Sequence, residues 1–296
     1  MPELPDLVVI IEALRARVLD RRLERVRIRA PFVLRTFDPP IDEAEGRTIR
    51  LLSRIGKRIV LHLEGERFLV VHLMIAGRLR WKPPGAAIPG KIGLAAFDFD
   101  SGTLLLTEAG TKKRASLSLL RGSGALAALD PGGVEPLEVD PERFGAALRA
   151  RNHTLKRALT DPRIVSGVGN AYSDEILHRA RLSPFLLTRR IGDGELARLH
   201  AACRAVLTEW IDRLRGKTKD GWPEKVTAFH EEMAAHGRFG KPCPACGAAI
   251  QRIVHADNET NYCPRCQTGG RILADRALSR LLRKDWPDRL EGLDEA

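Results

Sequence analysis

The sequence of 296 residues lacks the segments that direct a chain into or across a membrane. It has no run of 18 or more apolar residues, which excludes a transmembrane helix of ordinary length. Glu3 and Asp6 precede any apolar stretch, an arrangement that is wrong for a signal peptide. Internal repeats and low-complexity tracts are also missing. We therefore expect a cytoplasmic protein without a membrane partner.

Cysteine is scarce, with five residues in the whole chain. Cys203 stands alone in an apolar stretch, which is typical of a small buried hydrophobic residue. The other four form two C-x-x-C pairs, Cys243 with Cys246 and Cys263 with Cys266. Four thiolates at this spacing predict one structural Zn²⁺ with a filled tetrahedral shell. The alternative, a pair of disulfides, would require an oxidising compartment, and no secretion signal supports one.

Acidic residues are outnumbered by basic ones, 38 against 49, so the formal net charge is +11. An excess of this size favours a polyanionic partner such as a nucleic acid. The positive charge is spread along the chain and does not form a basic tail. Charge alone leaves a solvated basic surface as an equal alternative.

Hydrophobic periodicity divides the chain into α and β regions. Leu7, Ile11, Leu14 and Val18 recur at spacings of three and four, which predicts a helix over residues 5–19. Short apolar runs separated by turn residues predict an antiparallel β-sandwich between residues 25 and 121. These runs are 59–63, 68–73, 95–99, 103–107 and 115–119.

The later part of the chain has a helical pattern over residues 141–215, after a linker rich in glycine and alanine. We interpret the chain as a multidomain α+β protein with four segments. They are a β-sandwich with an N-terminal helix (1–135), a helical domain (136–234), a zinc finger (235–270) and a C-terminal extension (271–296). Apolar residues from Leu273 to Leu282 predict a short amphipathic helix in the extension.

A second motif runs through the glycine turns at Gly167 and Gly169 to Asn170. It follows a predicted short helix, Leu155 to Thr160, and Asn170 opens a longer one. A helix that begins after glycine turns presents backbone N–H groups to a phosphate. The alternative is that Asn170 is only a helix cap and the glycines only a tight turn.

The chain start is a third motif, Met1-Pro-Glu-Leu-Pro5. Small second residues normally permit removal of the initiator methionine, and Pro2 would then carry a free secondary amine beside the Glu3 carboxylate. Such an amine can form an iminium intermediate, while a carboxylate can transfer protons. An ordinary helix start would have the same residues. Gly56 and Lys57 form a fourth motif, a turn between strand-like segments, which alone indicates only a solvated lysine.

Together, and in their order along the chain, the four motifs resemble the formamidopyrimidine-DNA glycosylase and endonuclease VIII family of base-excision repair enzymes. The resemblance implies an N-terminal β-sandwich, a helix–two-turn–helix domain and a four-cysteine zinc finger around damaged double-stranded DNA. It also implies that the damaged nucleotide is flipped out of the stack. The expected activity is bifunctional: cleavage of the glycosidic bond, then strand scission by β- or β,δ-elimination.

The resemblance also implies roles for individual residues. Pro2 corresponds to the nucleophile, Glu3 to the main acid/base residue, and Lys57 to a residue that contacts phosphate or assists elimination. Lys156 and Asn170 match phosphate-binding positions of the helical domain. With DNA as partner, we expect a monomer that is nucleoid-associated while bound.

Some positions depart from the family pattern. Asn258 occupies the DNA-binding position of the finger where relatives usually have arginine, which disfavours δ-elimination because asparagine has no charge. Ile75 stands where relatives use methionine, and Thr107 to Arg114 contains no aromatic residue. The polar segment 216–230 is short for a loop that covers an oxidised purine. These departures predict an endonuclease VIII-like or divergent lesion preference.

Two other functions remain open from the sequence. A DNA-damage-binding protein could keep this fold without the chemistry, although Pro2, Glu3 and Lys57 are all present. A zinc-ribbon transcription factor would not require the Pro2-Glu3 motif.

Overall fold

The computed structural model describes residues 1–218, 221–224, 230–255, 258–274, 280–281 and 289–290. The chain forms two compact units. The first consists of Met1–Pro131 and Trp210–Ala228, and the second of Gly132–Glu209 and Phe229–Ala296. Among the described residues, no helix has the length and apolar character needed to cross a membrane.

The first unit contains a β-sandwich preceded by helix α1 (Leu4–Val18). One antiparallel sheet has the strand order β1-β6-β7-β5, and the other has the order β2-β3-β4-β8. The strands are β1 (Arg25–Ile28), β2 (Ile49–Ile55), β3 (Arg58–Leu63), β4 (Arg67–His72), β5 (Gly77–Lys82), β6 (Gly93–Phe99), β7 (Gly102–Glu108) and β8 (Ser116–Arg121). The predicted sandwich is therefore confirmed.

The core of this unit joins α1 to both sheets. Leu7, Leu14 and Val18 are fully buried on one face of α1, and Ile11 lies with them in the same cluster. Removal of their apolar surface from water stabilises the fold by roughly 25 cal/mol per Å². The helix predicted from their spacing is confirmed.

Strand β5 lies at the edge of its sheet, and residues 221–224 cover that edge. The Trp222 indole N–H donates to the Leu79 carbonyl at 3.0 Å, and its ring packs 6.4 Å from that of Trp81. Glu224 forms an ion pair with Arg80 at 3.4 Å. A covered edge cannot pair with a foreign strand. Sequence analysis assigned this segment to the helical domain, whereas it groups here with the sandwich.

The second unit begins after a short helix, α2 (Ser123–Ala127), in the stretch that was predicted to be a linker. Helical structure dominates as predicted, with a small β-hairpin near the C-terminus. Its elements are α3 (Pro141–Arg149), α4 (Leu155–Thr160), α5 (Asn170–Ala180), α6 (Asp193–Thr218, which ends in the first unit), β9 (Gln251–His255), β10 (Asn258–Tyr262) and α7 (Pro264–Thr268). The helix predicted from Leu273 to Leu282 lies mostly outside the described residues. The four-segment division of the chain stays a prediction.

Candidate active site

The chain start is fixed by the first turn of α1. Glu3 is the N-cap residue. Its backbone N–H donates a hydrogen bond to Asp6 Oδ2 at 2.9 Å. The two residues form a capping box, which satisfies backbone donors that the helix leaves open. Pro5 fits the first turn because it has no N–H to lose. Pro2 is buried and Glu3 is 3% exposed, so neither belongs to a loose tail.

The electrostatic surroundings of the chain start are mixed. Burial is the largest influence on the Met1 amine and lowers its pKa, because a charged ammonium is poorly solvated there. The carboxylate of Glu3 raises this pKa, and the positive charges of Arg78 and Lys57 lower it. The net direction is downward, which increases the neutral fraction of the amine. Two residues singled out from the sequence, Glu3 and Lys57, therefore act on one amine.

Lys57 is brought to this site by a tight hairpin. Gly56 and Lys57 form the two-residue turn between Ile55 of β2 and Arg58 of β3. Gly56 has φ of +56°, a conformation that glycine adopts without strain and that suits such turns. The side chain of Lys57 is half-buried. The glycine therefore determines where the lysine lies.

Sequence reasoning missed two residues of this site, Asp6 and Arg78. Burial raises the pKa of Asp6 to about 7, although its hydrogen bond from Glu3 opposes the shift. Arg78 donates hydrogen bonds to the carbonyl oxygens of Ile75 (3.1 Å) and Gly77 (2.7 Å), and burial lowers its pKa. An acid in the first turn of a helix is an ordinary capping signal, and Arg78 had no signal beyond its charge.

Two segments near this site carry the departures from the family pattern. Ile75 is 56% exposed in the turn before β5, where Met74 has φ of +52°. The buried Glu108 accepts hydrogen bonds from the backbone N–H groups of Arg114 and Ala115. Both segments are therefore ordered by the sandwich, and Ile75 presents an apolar side chain to solvent.

In the second unit, α5 begins after the predicted glycine turn. Gly167 has φ of +76°, and Gly169 is the N-cap residue. Asn170 is the first helical residue, so the suggestion that it is only the cap is wrong. Within the described residues its side-chain amide makes no hydrogen bond, which leaves the amide available at the positive end of the helix dipole.

The other two predicted DNA-binding residues differ in exposure. The ammonium of Lys156 donates to Asp174 Oδ1 at 2.6 Å and to the carbonyl of Asn170 at 2.7 Å. Its side chain is only 11% exposed. Asn258 is exposed at the start of β10, opposite His255. Direct DNA contacts by Lys156 and Asn258 stay predictions.

The four paired cysteines converge on one point. Their sulfur atoms all lie within 4.8 Å of one another. The separations are 3.3 Å for Cys246 to Cys263 and 4.0 Å for Cys243 to Cys266. A tetrahedral zinc ion with Zn–S bonds of about 2.3 Å would place sulfur atoms roughly 3.8 Å apart. The donor set and its size fit one structural zinc, with no open position for catalysis.

A histidine outside the finger supports this centre. Nε2 of His178, on α5, lies 3.2 Å from the sulfur of Cys243. Groups that hydrogen-bond to a metal ligand orient it and tune its basicity. Helix α5 is thereby connected to the metal centre.

We expect one equivalent of zinc per chain, and we expect its removal by a chelator to unfold the hairpin, because metal binding supplies folding free energy of about 10–16 kcal/mol. Cys263→Ser should lower zinc content and melt β9 and β10, as measured by metal analysis and circular dichroism. Cys203→Ala, which changes a buried thiol of α6, should keep the full equivalent. A folded, metal-free hairpin would contradict this assignment.

A second expectation concerns the raised pKa of Asp6. The folded state prefers the protonated form of Asp6. The contribution of this residue to stability is therefore present below about pH 4 and is lost as pH rises through 7. Relative to Asp6→Asn, the wild-type free energy of unfolding should therefore fall between pH 4 and 8, by an amount on the order of a few kcal/mol. Denaturant titrations at several pH values measure this difference. Asp100→Asn, at an exposed position, should parallel the wild type, and parallel curves for Asp6→Asn would contradict the burial effect.

Comparison with known proteins agrees with this geometry. Residues 1–114 match the N-terminal domain of formamidopyrimidine-DNA glycosylase. Residues 133–220 match its H2TH domain, and residues 240–269 match a zinc finger found in FPG and IleRS. The three matches cover most of the chain in the order expected from the sequence.

Whole-chain relatives carry the same name. A formamidopyrimidine-DNA glycosylase of Heliobacterium modesticaldum is 35% identical over 277 residues, covering 90% of this chain and all of the relative. One from Thermus thermophilus is 35% identical over 285 residues, with 91% and 100% coverage. A Lactococcus lactis Fpg bound to DNA containing an abasic site superposes with a TM-score of 0.80, at 26% identity and with 90% and 99% coverage. By sequence and by fold, this chain belongs to the formamidopyrimidine-DNA glycosylase family.

Proposed function

We propose that this protein is a bifunctional DNA glycosylase and abasic-site lyase of base-excision repair, with the Pro2 amine as its nucleophile. The observation that carries the proposal is the buried chain start. Pro2 and Glu3 are buried there, and the Met1 amine that precedes them has a pKa lowered by burial under the influence of two carboxyl groups and two cations. Family membership supports DNA glycosylase activity, and the lyase step follows from the chemistry of the amine.

Removal of Met1 would leave Pro2 with a free secondary amine. An α-amine titrates near pH 8, well below a lysine side chain, and a buried position such as that of Pro2 favours the neutral form. A useful fraction is therefore unprotonated at neutral pH. The nitrogen lone pair attacks the sugar C1′, the N–C1′ bond forms, and the bond from C1′ to the damaged base breaks.

The departing base needs a proton, and Glu3 and Asp6 are the two carboxyl groups that act on the amine at the chain start. Glu3 is the main acid/base residue of this proposal. Asp6, with a pKa of about 7, exists in both protonation states near neutral pH and can exchange a proton with the attacking amine. The amine then loses its proton, a proton is transferred to O4′, and cleavage of the C1′–O4′ bond opens the sugar ring and produces the iminium.

Strand scission follows from the iminium, which makes the C2′ proton acidic. Loss of that proton expels the 3′ phosphate by β-elimination. Lys57 is positioned to stabilise the developing phosphate charge, and Arg78 adds a second cation near the chain start. Asn258 brings no charge to the finger, so β-elimination is favoured over δ-elimination.

DNA binding is proposed for the second unit. Asn170 offers an unbonded amide at the start of α5, where the helix dipole favours a phosphate. Asn258 offers a neutral polar contact from the zinc hairpin, and Lys156 lies beside Asn170. The net charge of +11 suits a polyanion. We propose damaged double-stranded DNA as the partner of a monomer that is nucleoid-associated when bound.

Lesion preference is proposed from the side chains that would surround a flipped base. Ile75 replaces the methionine usual at this position, and no aromatic follows Glu108 in the ordered segment to Arg114. Polar contacts dominate discrimination between bases, and those for an intact oxidised purine are missing from these segments. We propose that oxidised pyrimidines, ring-opened bases and abasic sites are processed faster than 8-oxoguanine.

The nucleophile can be tested by trapping. Borohydride should yield a covalent complex with abasic DNA, and peptide mapping should place the adduct on Pro2. Pro2→Gly, which keeps an amine, should react more slowly. Glu3→Gln should lose about 10²–10⁴-fold in base excision, with a smaller loss at a preformed abasic site, because only excision needs a proton for the base.

The control for trapping is a variant that keeps an extra residue ahead of Pro2, and it should form no complex. An adduct on Lys57, or undiminished trapping in that control, would refute the mechanism. Binding to damaged DNA without any trapping by the wild type would instead favour a non-catalytic damage-binding protein on this fold.

Lesion preference is measured with defined duplexes that each contain one lesion, with excision and strand cleavage scored separately. Single-turnover rates should be higher for an oxidised pyrimidine or a ring-opened base than for 8-oxoguanine opposite cytosine. Ile75→Met should narrow the difference in rate between these lesions and 8-oxoguanine. Faster excision of 8-oxoguanine than of any pyrimidine lesion would show the proposal wrong.

A further inference from the structure

Lys156 is held in a buried cluster at the first turn of α5. Its ammonium donates to Asp174 Oδ1 at 2.6 Å and to the Asn170 carbonyl at 2.7 Å. Asn170 and Asp174 are the first and fifth residues of α5, so the ammonium spans one helical turn. The Asp174 side chain is fully buried and that of Lys156 is 11% exposed. A phosphate would therefore have to compete with two short hydrogen bonds for this ammonium.

The second oxygen of Asp174 connects the same cluster to the zinc hairpin. Nδ1 of His236 lies 2.8 Å from Asp174 Oδ2, and the side-chain amide of Asn261, on β10, donates to this oxygen at 3.4 Å. His236 and Asn261 are 4% and 1% exposed. The carboxylate thus receives hydrogen bonds from α4, from His236 at the start of the finger segment and from the hairpin.

Glu175 strengthens the connection from the next position of α5. Its carboxylate accepts hydrogen bonds from the backbone N–H groups of Ala234, Ala235 and His236, at 2.7, 2.8 and 2.9 Å. These bonds fix the backbone that carries the His236 imidazole. The start of α5 is consequently joined to the finger by main-chain and side-chain contacts together.

A buried ion pair of this kind adds little net stability compared with apolar side chains of similar volume, because both charges lose their hydration. Its directional hydrogen bonds do, however, specify one arrangement of the groups around it. Here the group that is arranged is Asn170, whose carbonyl accepts from Lys156 while its amide side chain makes no hydrogen bond within the described part of the chain.

We propose that Lys156 and Asp174 are positioning residues, and that Lys156 acts on DNA through Asn170 instead of by its own contact with a phosphate. The pair sets the first turn of α5 relative to the zinc hairpin, so that Asn170 and the hairpin present a prearranged surface to the backbone of the DNA. This inference rests on the proposed phosphate contact of Asn170.

Salt dependence separates a positioning role from a direct contact. The zinc-loaded, full-length protein is titrated with a duplex containing a tetrahydrofuran abasic analogue over a range of salt concentrations. Asn170→Ala should weaken binding about tenfold, as expected for loss of a hydrogen bond to a charged group. Lys156→Gln should weaken it similarly but leave the slope of log K against log[salt] unchanged. A direct phosphate contact would reduce the slope by about 0.9.

A double-mutant cycle supplies a second readout. If Lys156 acts through Asn170, then Lys156→Gln combined with Asn170→Ala should bind within about twofold of Asn170→Ala alone, because coupled positions are not additive. Arg157→Gln removes one exposed charge from the next position of α4 and measures the effect of net charge alone. Additive losses, or a smaller slope in Lys156→Gln than in the Arg157→Gln control, would overturn the inference.

Removing one member of a buried pair can prevent folding, so zinc content and thermal melting accompany each titration. If Lys156→Gln does not fold, the double variant Lys156→Gln with Asp174→Asn removes both charges. Its salt dependence and its combination with Asn170→Ala are then measured in place of those of the single lysine variant. Wild-type affinity in Asn170→Ala would refute the phosphate contact and this inference together. Weakened binding by Asn170→Ala, with a reduced slope for the lysine variant, would refute the inference alone.

Discussion

Burial of the chain start is the constraint on which the proposed chemistry of this protein depends. An amine in water at neutral pH is mostly protonated, and an ammonium is no nucleophile. At the first turn of α1 the Met1 amine is partly withdrawn from water, while the capping box of Glu3 and Asp6 holds the backbone in place. Desolvation favours the neutral form, and Lys57 and Arg78 push in the same direction. The sandwich core packs against α1 and so fixes the helix that carries the chain start.

The second unit, for which DNA binding is proposed, has a different requirement. A DNA-binding surface needs polar groups at fixed positions and contains little apolar surface that could be buried to hold them. Zinc orders the hairpin, and α5 connects the zinc centre to the first turn of the helix, where Asn170 lies. His178 of this helix contacts the metal ligand Cys243. Asp174 and Glu175 accept hydrogen bonds from Ala235 and His236, at the start of the finger segment. The metal centre and the start of α5 are therefore parts of one structure.

Several elements could be predicted because their signals are local. The period of Leu7, Ile11 and Leu14 predicts α1, and the glycines before Asn170 predict the start of α5. Strands β2 and β5 were not among the predicted runs, because arginines interrupt their apolar residues. Both strands form through pairing with neighbours in the sheet. The contacts of Trp222 with β5 could not be predicted for a similar reason, since the two segments lie far apart in sequence.

Spacing and side-chain chemistry, which are local properties of the sequence, were enough to identify the four zinc ligands and the family, and to predict Pro2, Glu3 and Lys57 as reactive groups. Tertiary structure decided what those groups experience. The raised pKa of Asp6, the place of Arg78 beside the chain start and the commitment of Lys156 to Asp174 all arise from burial and from contacts between distant segments. Desolvation and Coulomb interactions depend on distances in space, and no pattern along the chain specifies them.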